Sequence, residues 1–315
     1  MITVSVPGKV HLMGEHAVVY GRPALIAAIN MRMRVSIEPN TQSSDSISIL
    51  STEPTEHARF AVTWLLEKLH IHDPENITIT IDSDIPAGYH LGSSAAMAVA
   101  LSGAVLYFFK KIWNPIKSNE LAYEIEKKQH GNPSGGDNTT VTTGGFVWYR
   151  KELEFLRSIW QLPFKPHASL HHFFLINTGR PHETTGEMVA LVRSKVDSQK
   201  SKMEQLFSQN EIQVKRATTA LKEGNEKELI DAIKAGEQTL EGMGVVSLQV
   251  QPLMRKIEAL GGAVKILGGG GKKDGVGFLL CYHHEPKTIE EIAREYSYTI
   301  QHITLGEEGI RLDEK

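Results

Sequence analysis

The chain has 315 residues, 41% hydrophobic and 23% charged, which is ordinary for a globular protein and leaves room for one large or two packed domains. Its formal net charge of −3 excludes the basic surplus of a general nucleic-acid binder, so any anion it binds must be met by local donors. A single cysteine, Cys281, excludes an internal disulfide and a thiolate-built zinc site, and fits a reducing compartment.

Alternation at Ile2, Val4 and Val6 predicts an opening strand that stops at Pro7-Gly8, with Lys9 directly after it. In Gly14-Glu15-His16-Ala17, two titratable residues stand between a glycine and an apolar stretch. Strands are expected over 31–38, 46–50 and 77–81, a turn over 40–45 and a helix over 57–69. No basic region precedes an apolar core at the N-terminus, so no signal peptide is expected. The longest apolar run, 95–109, is interrupted by Ser102 and Gly103. It falls short of the roughly 20 residues of a membrane span. A cytoplasmic protein with neither membrane nor nucleic-acid partners is therefore expected.

The stretch Pro86-Ala87-Gly88-Tyr89-His90-Leu91-Gly92-Ser93-Ser94-Ala95-Ala96 feeds directly into that apolar run. The first turn of a helix has N–H groups without intrahelical acceptors and carries partial positive charge. Glycines allow close backbone approach to an anion, and serine hydroxyls can donate to phosphate or ligate Mg²⁺. Taken alone, Gly-Ser-Ser reads better as a plain helix start capped by Ser93 or Ser94. Asn114-Pro115 is expected to break the chain, and Ser118 to cap a helix that runs to 129. Its pattern leaves Glu126 as well placed for solvent, beside Lys127 and Lys128, as for the interior. From His130 to Thr140 the residues are turn formers, so Asp137 is expected on a loop before a strand at 145–149. Residues 150–170 read as a charged connection and the best place for a domain boundary.

The C-terminal part predicts a strand at 172–177 and helices near 187–201, 203–222, 226–242 and 248–260. Strands at 263–267, 276–282 and 298–305 and a helix at 287–296 follow, the order of a split βαβ, ferredoxin-like half. The pairs His171-His172 and His283-His284 should point to opposite faces of strands, and His70-x-His72 lacks a third ligand. No metal site built on histidine is expected, and His16 is the one histidine with a functional reading.

Neither Gly-x-x-x-x-Gly-Lys-Ser/Thr nor Gly-x-Gly-x-x-Gly occurs, which argues against P-loop, Rossmann and protein-kinase readings. What remains suits phosphoryl transfer, which needs Mg²⁺ on the phosphates, a cation near the developing charge and a carboxylate for the attacking hydroxyl. Lys9, Glu126, Asp137 and Ser94 could fill those posts. Pro7-Gly8-Lys9-Val10 with Gly14-Glu15-His16-Ala17-Val18-Val19-Tyr20-Gly21 resembles the first motif of the mevalonate kinases, in the GHMP kinase superfamily. Leu91-Gly92-Ser93-Ser94-Ala95-Ala96 resembles the superfamily's phosphate loop. His130-Gly131-Asn132-Pro133-Ser134-Gly135-Gly136-Asp137-Asn138 resembles the segment with the catalytic aspartate, and Gly268-Gly269-Gly270-Gly271 the third motif.

The resemblance implies an α+β GHMP kinase fold, with an N-terminal half (1–160) like ribosomal protein S5 domain 2 and a ferredoxin-like half (161–315). It implies ATP-dependent phosphorylation of (R)-mevalonate at the 5-hydroxyl, with Mg²⁺ as cofactor. On it, Asp137 is the base or orienter, and Lys9 lowers the pKa of Asp137 and steadies the phosphoryl group. Gly88, Leu91, Gly92, Ser93, Ser94 and Ala95 hold ATP, while Ser94 and Glu126 bind magnesium. Glu15, His16 and Ser134 meet the substrate. A sister enzyme acting on phosphomevalonate or homoserine and a catalytically silent metabolite-binding protein are the alternatives. The oligomeric state stays open, a homodimer included. Two departures from the family pattern stand out. Tyr89-His90 either crowd the phosphates or add a donor, and Lys272-Lys273 either reach phosphate or form a solvated turn.

Overall fold

Alternating apolar residues carry the first strand past Pro7 and Gly8, where the sequence predicts its end, so that β1 spans Ile2–Met13. A Cβ at Gly8 would lie 3.1 Å from the Leu91 carbonyl oxygen, so glycine there lets the strand pass close under the loop before Leu91. The computed structural model describes residues 1–40, 46–72, 74, 76–131 and 133–313, without the His130 side chain. Asn132 of the aspartate-bearing motif and residues 41–45 of the expected turn lie outside the described residues.

Contacts divide the chain into one unit of residues 1–9, 28–145 and 307–315 and another of residues 10–27 and 146–306. Both β1 and β2 (Pro23–Pro39) run through the two units. No single cut in the sequence separates them, so this division by contact differs in kind from halves cut at residue 160.

The first unit contains β3 (Ile47–Ser51), α1 (Glu56–Lys68), β4 (Ile77–Ser83), α2 (Ser93–Lys110), α3 (Pro115–His130) and α4 (Gly136–Thr143). The first unit is completed near the end of the chain by β11 (Arg311–Asp313), a strand the sequence reading did not expect. Strand order is β11-β1-β2-β4-β3, with β4 antiparallel to β2 and parallel to β3. Val35, Ile37 and Ile79 of the sheet and Leu65, Val99, Val105 and Ile125 of the helices are buried in its core. Packed against α1, α3 and α4, α2 is the central helix, and its small residues allow the close approach. A Cβ at Gly103, for example, would sit 2.8 Å from Ile310 Cδ1. By length and composition α2 is also apolar enough to cross a membrane, so run length does not decide that question. The burial of 67% of the helix inside the protein accounts for its composition.

Two expectations for this unit are corrected. Asn114-Pro115 starts α3 instead of breaking the chain. The Asn114 side chain accepts from Lys117 N–H at 3.0 Å, and proline suits the first helical position because its missing N–H would have had no partner there. Asp137 is on the first turn of α4, not on a loop. Gly135, at φ 81°, supplies the left-handed turn that starts this helix.

In the second unit β5 (Phe146–Lys151) pairs with the start of β2 and with β6 (Arg157–Leu162). Residues 150–170 are thus largely a hairpin and not a mere connection. β7 (Phe173–Asn177) precedes four helices, α5 (Thr185–Ser198), α6 (Lys200–Glu223), α7 (Glu226–Met243) and α8 (Gln251–Ala259). Then come β8 (Ala263–Ile266), β9 (Phe278–Tyr282), α9 (Pro286–Glu295) and β10 (Thr299–Ile303). The antiparallel order β10-β7-β9-β8 is the one a split βαβ unit predicts. Its core joins Ile176, Val264, Ile266 and Leu279 from strands to Met188, Phe207, Leu240 and Leu253 from helices.

Candidate active site

In the first unit, three separate sequence motifs meet at the start of α2. The loop before it turns through left-handed residues at Gly88 (φ 82°), His90 (φ 64°) and Gly92 (φ 82°). Lys9 N–H donates to the Leu91 carbonyl at 2.9 Å and ties that loop to β1. A Cβ on Gly92 would lie 2.8 Å from Lys9 Cγ, so the lysine stem lies against the loop and glycine makes room for it. Ser93 is the first helical residue, Leu91 and Ala95 are buried, and Gly88 is exposed.

The Lys9 ammonium, almost entirely buried, pairs with Asp137 Oδ2 at 2.9 Å, while the aspartate side chain remains 37% exposed. Beside it, Ser94 Oγ donates to Glu126 Oε1 at 2.5 Å, and Glu126 is buried. The helix pattern left the direction of Glu126 open, and it faces inward. A polar ladder fastens the two acid-bearing helices. Asn138 donates to Asn119 at 2.6 Å, Asn119 to Thr139 at 3.3 Å, and Thr142 to the Asn138 carbonyl at 2.7 Å. Ser134 is exposed, and its hydroxyl accepts Gly136 N–H at 3.1 Å, closing the turn into α4. Lys9, Ser94, Glu126 and Asp137 are thus brought together around one helix start.

Glu15 and His16 belong to the second unit and form a different cluster. Gly14 (φ 104°) permits the chain reversal, since a Cβ there would overlap Ala24 Cα at 2.5 Å. His16 then adopts φ 59°, uncommon for a side-chain-bearing residue, before a short 3₁₀ turn over Ala17–Tyr20. Its buried Nε2 lies 3.0 Å from the Gly269 carbonyl oxygen. A carbonyl only accepts, so Nε2 carries the proton. Burial holds the imidazole pKa below the usual histidine value, against the smaller opposing effects of that bond and of Glu15. The glycine run of the third motif is largely interior, with Gly271 N–H donating to the Val245 carbonyl at 3.0 Å. Lys272 and Lys273 are exposed, as a solvated turn requires.

The histidine pairs do not split across strand faces, because they lie beyond the strand ends. Ring centroids are 3.9 Å apart for His171-His172 and 4.8 Å for His283-His284. Among the described residues no group of three or more histidine, cysteine or acidic side chains could hold a metal ion.

Residues 56–145 match the family of GHMP kinases N terminal domain. The mevalonate kinase of Archaeoglobus fulgidus is 32% identical over 271 residues, covering 85% of this chain and 88% of that protein. The chain belongs to the mevalonate kinase family. The mevalonate kinase of Thermococcus gammatolerans is 28% identical over 348 residues, covering 99% of this chain and 98% of its own. In fold, the chain is similar to L. major mevalonate kinase in complex with R-mevalonate, with a TM-score of 0.82 at 20% identity over 97% and 96% of the two chains. Methanococcus jannaschii mevalonate kinase gives 0.81 at 20% identity, over 96% and 98%. The α+β architecture is that of the GHMP kinases.

Within this mevalonate kinase framework, sequence reasoning missed Lys265 and Glu237. Lys265 forms a buried ion pair with Glu15, and Glu237 Oε2 accepts the Ile266 N–H at 3.1 Å. The signals were present. Lys265 is the one charge in the apolar strand Ala263–Ile266. Glu237 stands four residues after Ile233, on the apolar stripe of α7.

Proposed function

We propose that this protein transfers the γ-phosphoryl group of ATP to the 5-hydroxyl of (R)-mevalonate, giving ADP and 5-phosphomevalonate for isoprenoid synthesis. The observation that carries this reading is the 2.9 Å Lys9–Asp137 pair at the start of the Ser93–Lys110 helix. The choice of alcohol is supported by the names of the relatives and by the R-mevalonate in the L. major complex.

In this reading Asp137 takes the proton of the 5-hydroxyl, or orients it, as the oxygen attacks the γ-phosphorus. Lys9 sets its charge against the equatorial oxygens, which gain negative charge in the transition state. Gly88, Leu91, Gly92, Ser93, Ser94 and Ala95 form the cradle for the ATP phosphates, with first-turn N–H groups that have no intrahelical acceptor and the positive end of the helix dipole aimed at them. Ser94 and Glu126 offer a hydroxyl and a carboxylate, hard oxygen donors of the kind Mg²⁺ takes when phosphate and water complete its shell. Mg²⁺ held there would neutralise charge on the β- and γ-phosphates. Glu15, His16 and Ser134 are assigned to bind the alcohol. Residues 1–160 and 161–315 serve as the two functional halves, and the protein works in the cytoplasm, where buried Cys281 stays reduced.

A coupled ADP-release assay with mevalonate, 5-phosphomevalonate, homoserine and a blank tests this reading. ADP release should depend on mevalonate, and the product should carry phosphate on the 5-oxygen. Turnover of a different alcohol alone would overturn the substrate assignment, and no turnover with any would overturn the enzyme.

A further inference from the structure

Beside Glu15 and His16 lies a buried charge cluster that phosphoryl transfer itself does not use. Lys265 is 1% exposed and donates to three acceptors, the Glu15 carboxylate Oε1, the His11 carbonyl at 3.2 Å and the Ile266 carbonyl at 2.5 Å. An ammonium group has three N–H bonds, so this one is fully engaged. Of the Glu15 carboxylate, Oε1 is held by Lys265, while the buried Oε2 has no partner among the described residues. Glu237, fully buried on α7, accepts the Ile266 N–H and so holds the peptide next to Lys265. Three residues further on, the Gly269 carbonyl takes the His16 ring nitrogen.

Stability does not account for this arrangement. A buried ion pair loses much of its Coulombic gain to desolvation, and apolar replacements of similar size are often neutral or better. What the cluster does supply is geometry. Lys265 saturates one oxygen of Glu15 and points the other, and Glu237 and His16 hold the 266–269 turn that keeps Lys265 in place.

We propose that Lys265 and Glu237 are positioning residues that make Glu15 present a single carboxylate oxygen, Oε2, to a hydroxyl group of the alcohol substrate. The assignment rests on the functional reading above, in which Glu15 meets the alcohol. It adds a specificity device: a rigid lone acceptor, which a substrate lacking the matching hydroxyl leaves unpaired.

The test measures KM for the alcohol, KM for ATP and kcat in Lys265→Met, Glu237→Leu and Glu237→Gln, using whichever alcohol of the panel the wild type phosphorylates. Hydrogen exchange of the backbone amides at 266–269 is followed in parallel. Lys265→Met should raise the alcohol KM about tenfold or more, with the ATP KM within about twofold. Glu237→Leu should do the same to a smaller degree. Glu237→Gln, which keeps an acceptor for the Ile266 N–H, should recover most of that loss. Exchange at 266–269 should rise in the first two variants and not in the third. Folded Lys265→Met with an unchanged alcohol KM overturns the proposal, as does a uniform fall in kcat with both KM values unmoved. If Lys265→Met does not fold, the contrast between Glu237→Leu and Glu237→Gln decides in its place. If the wild type turns over no alcohol, the functional reading fails on its own. Unchanged exchange at 266–269 in Lys265→Met would then sink the positioning claim separately, and raised exchange would sustain the mechanical part of it.

Discussion

Two lysine–carboxylate pairs, one in each unit, are built from the same chemistry and set in different surroundings. In the Lys9–Asp137 pair the lysine side chain is 5% exposed and the aspartate 37%, whereas for Lys265 and Glu15 the values are 1% and 3%. A carboxylate with one side open can meet a ligand and exchange a proton, while its buried lysine keeps a strong local field. In the pair buried on both sides the lysine holds one carboxylate oxygen and leaves the other without a partner, so what it contributes is direction. Burial on one side of a charge pair therefore suits reaction, and burial on both sides suits placement.

The sharpest way to break this comparison is Asp137→Asn. It should lower kcat by a factor on the order of 10³ or more, the scale of a lost general base, while ATP still binds, as nucleotide titration would record. Near-normal turnover would remove Asp137 from the chemistry. Glu126→Ala comes next. It deprives the Ser94 hydroxyl of its acceptor and should weaken the use of Mg·ATP by about 10–100-fold, read as a higher Mg²⁺ concentration for half-maximal rate. The alcohol KM change in Lys265→Met is expected to rank below both.

Smaller effects appear in stability against pH. His16 has a folded pKa below its unfolded value near 6.5, so the unfolded chain takes up the proton first. Its contribution is present above that pH and declines as pH falls from it toward the lower folded value, by at most about 1.4 kcal/mol per pH unit. In His16→Asn the slope of melting temperature against pH over that range should flatten. For Glu237 the sign is reversed. Burial raises its pKa well above 4.5, so its contribution is present below that pH and is lost as pH rises toward the folded value. Glu237→Gln should therefore melt higher than the wild type at neutral pH, with the gap closing under acid.

Much of the fold was legible in the residues because periodicity reports burial. The strand at 77–81 and the helices near 203–222 and 226–242 are found within one to three residues of their expected bounds. Misreadings came where local composition and tertiary contact disagree. Gly135-Gly136-Asp137-Asn138-Thr139-Thr140 is poor in helix formers, yet α4 forms because side chains of Asn138, Thr140 and Thr142 bond to α3 or to their own preceding turn. Pro7-Gly8 looks like a stop, yet β1 continues through it because the loop at Leu91 bonds to the next residue.

For the candidate site, the chain alone determined the parts: a glycine- and serine-bearing helix start, a lysine after an apolar strand, two acids in separate motifs, and a Glu-His pair after a glycine. Those follow from residue type and spacing, which local backbone chemistry makes readable. The family resemblance implied that Lys9 stands by Asp137 and that Ser94 and Glu126 share a ligand, but only the tertiary structure gave their contacts and decided that Lys265 and Glu237 stand behind Glu15. Each of these joins residues from 29 to 250 positions apart, taking the differences of their sequence numbers. No periodicity carries information across such a gap; packing sets those partners.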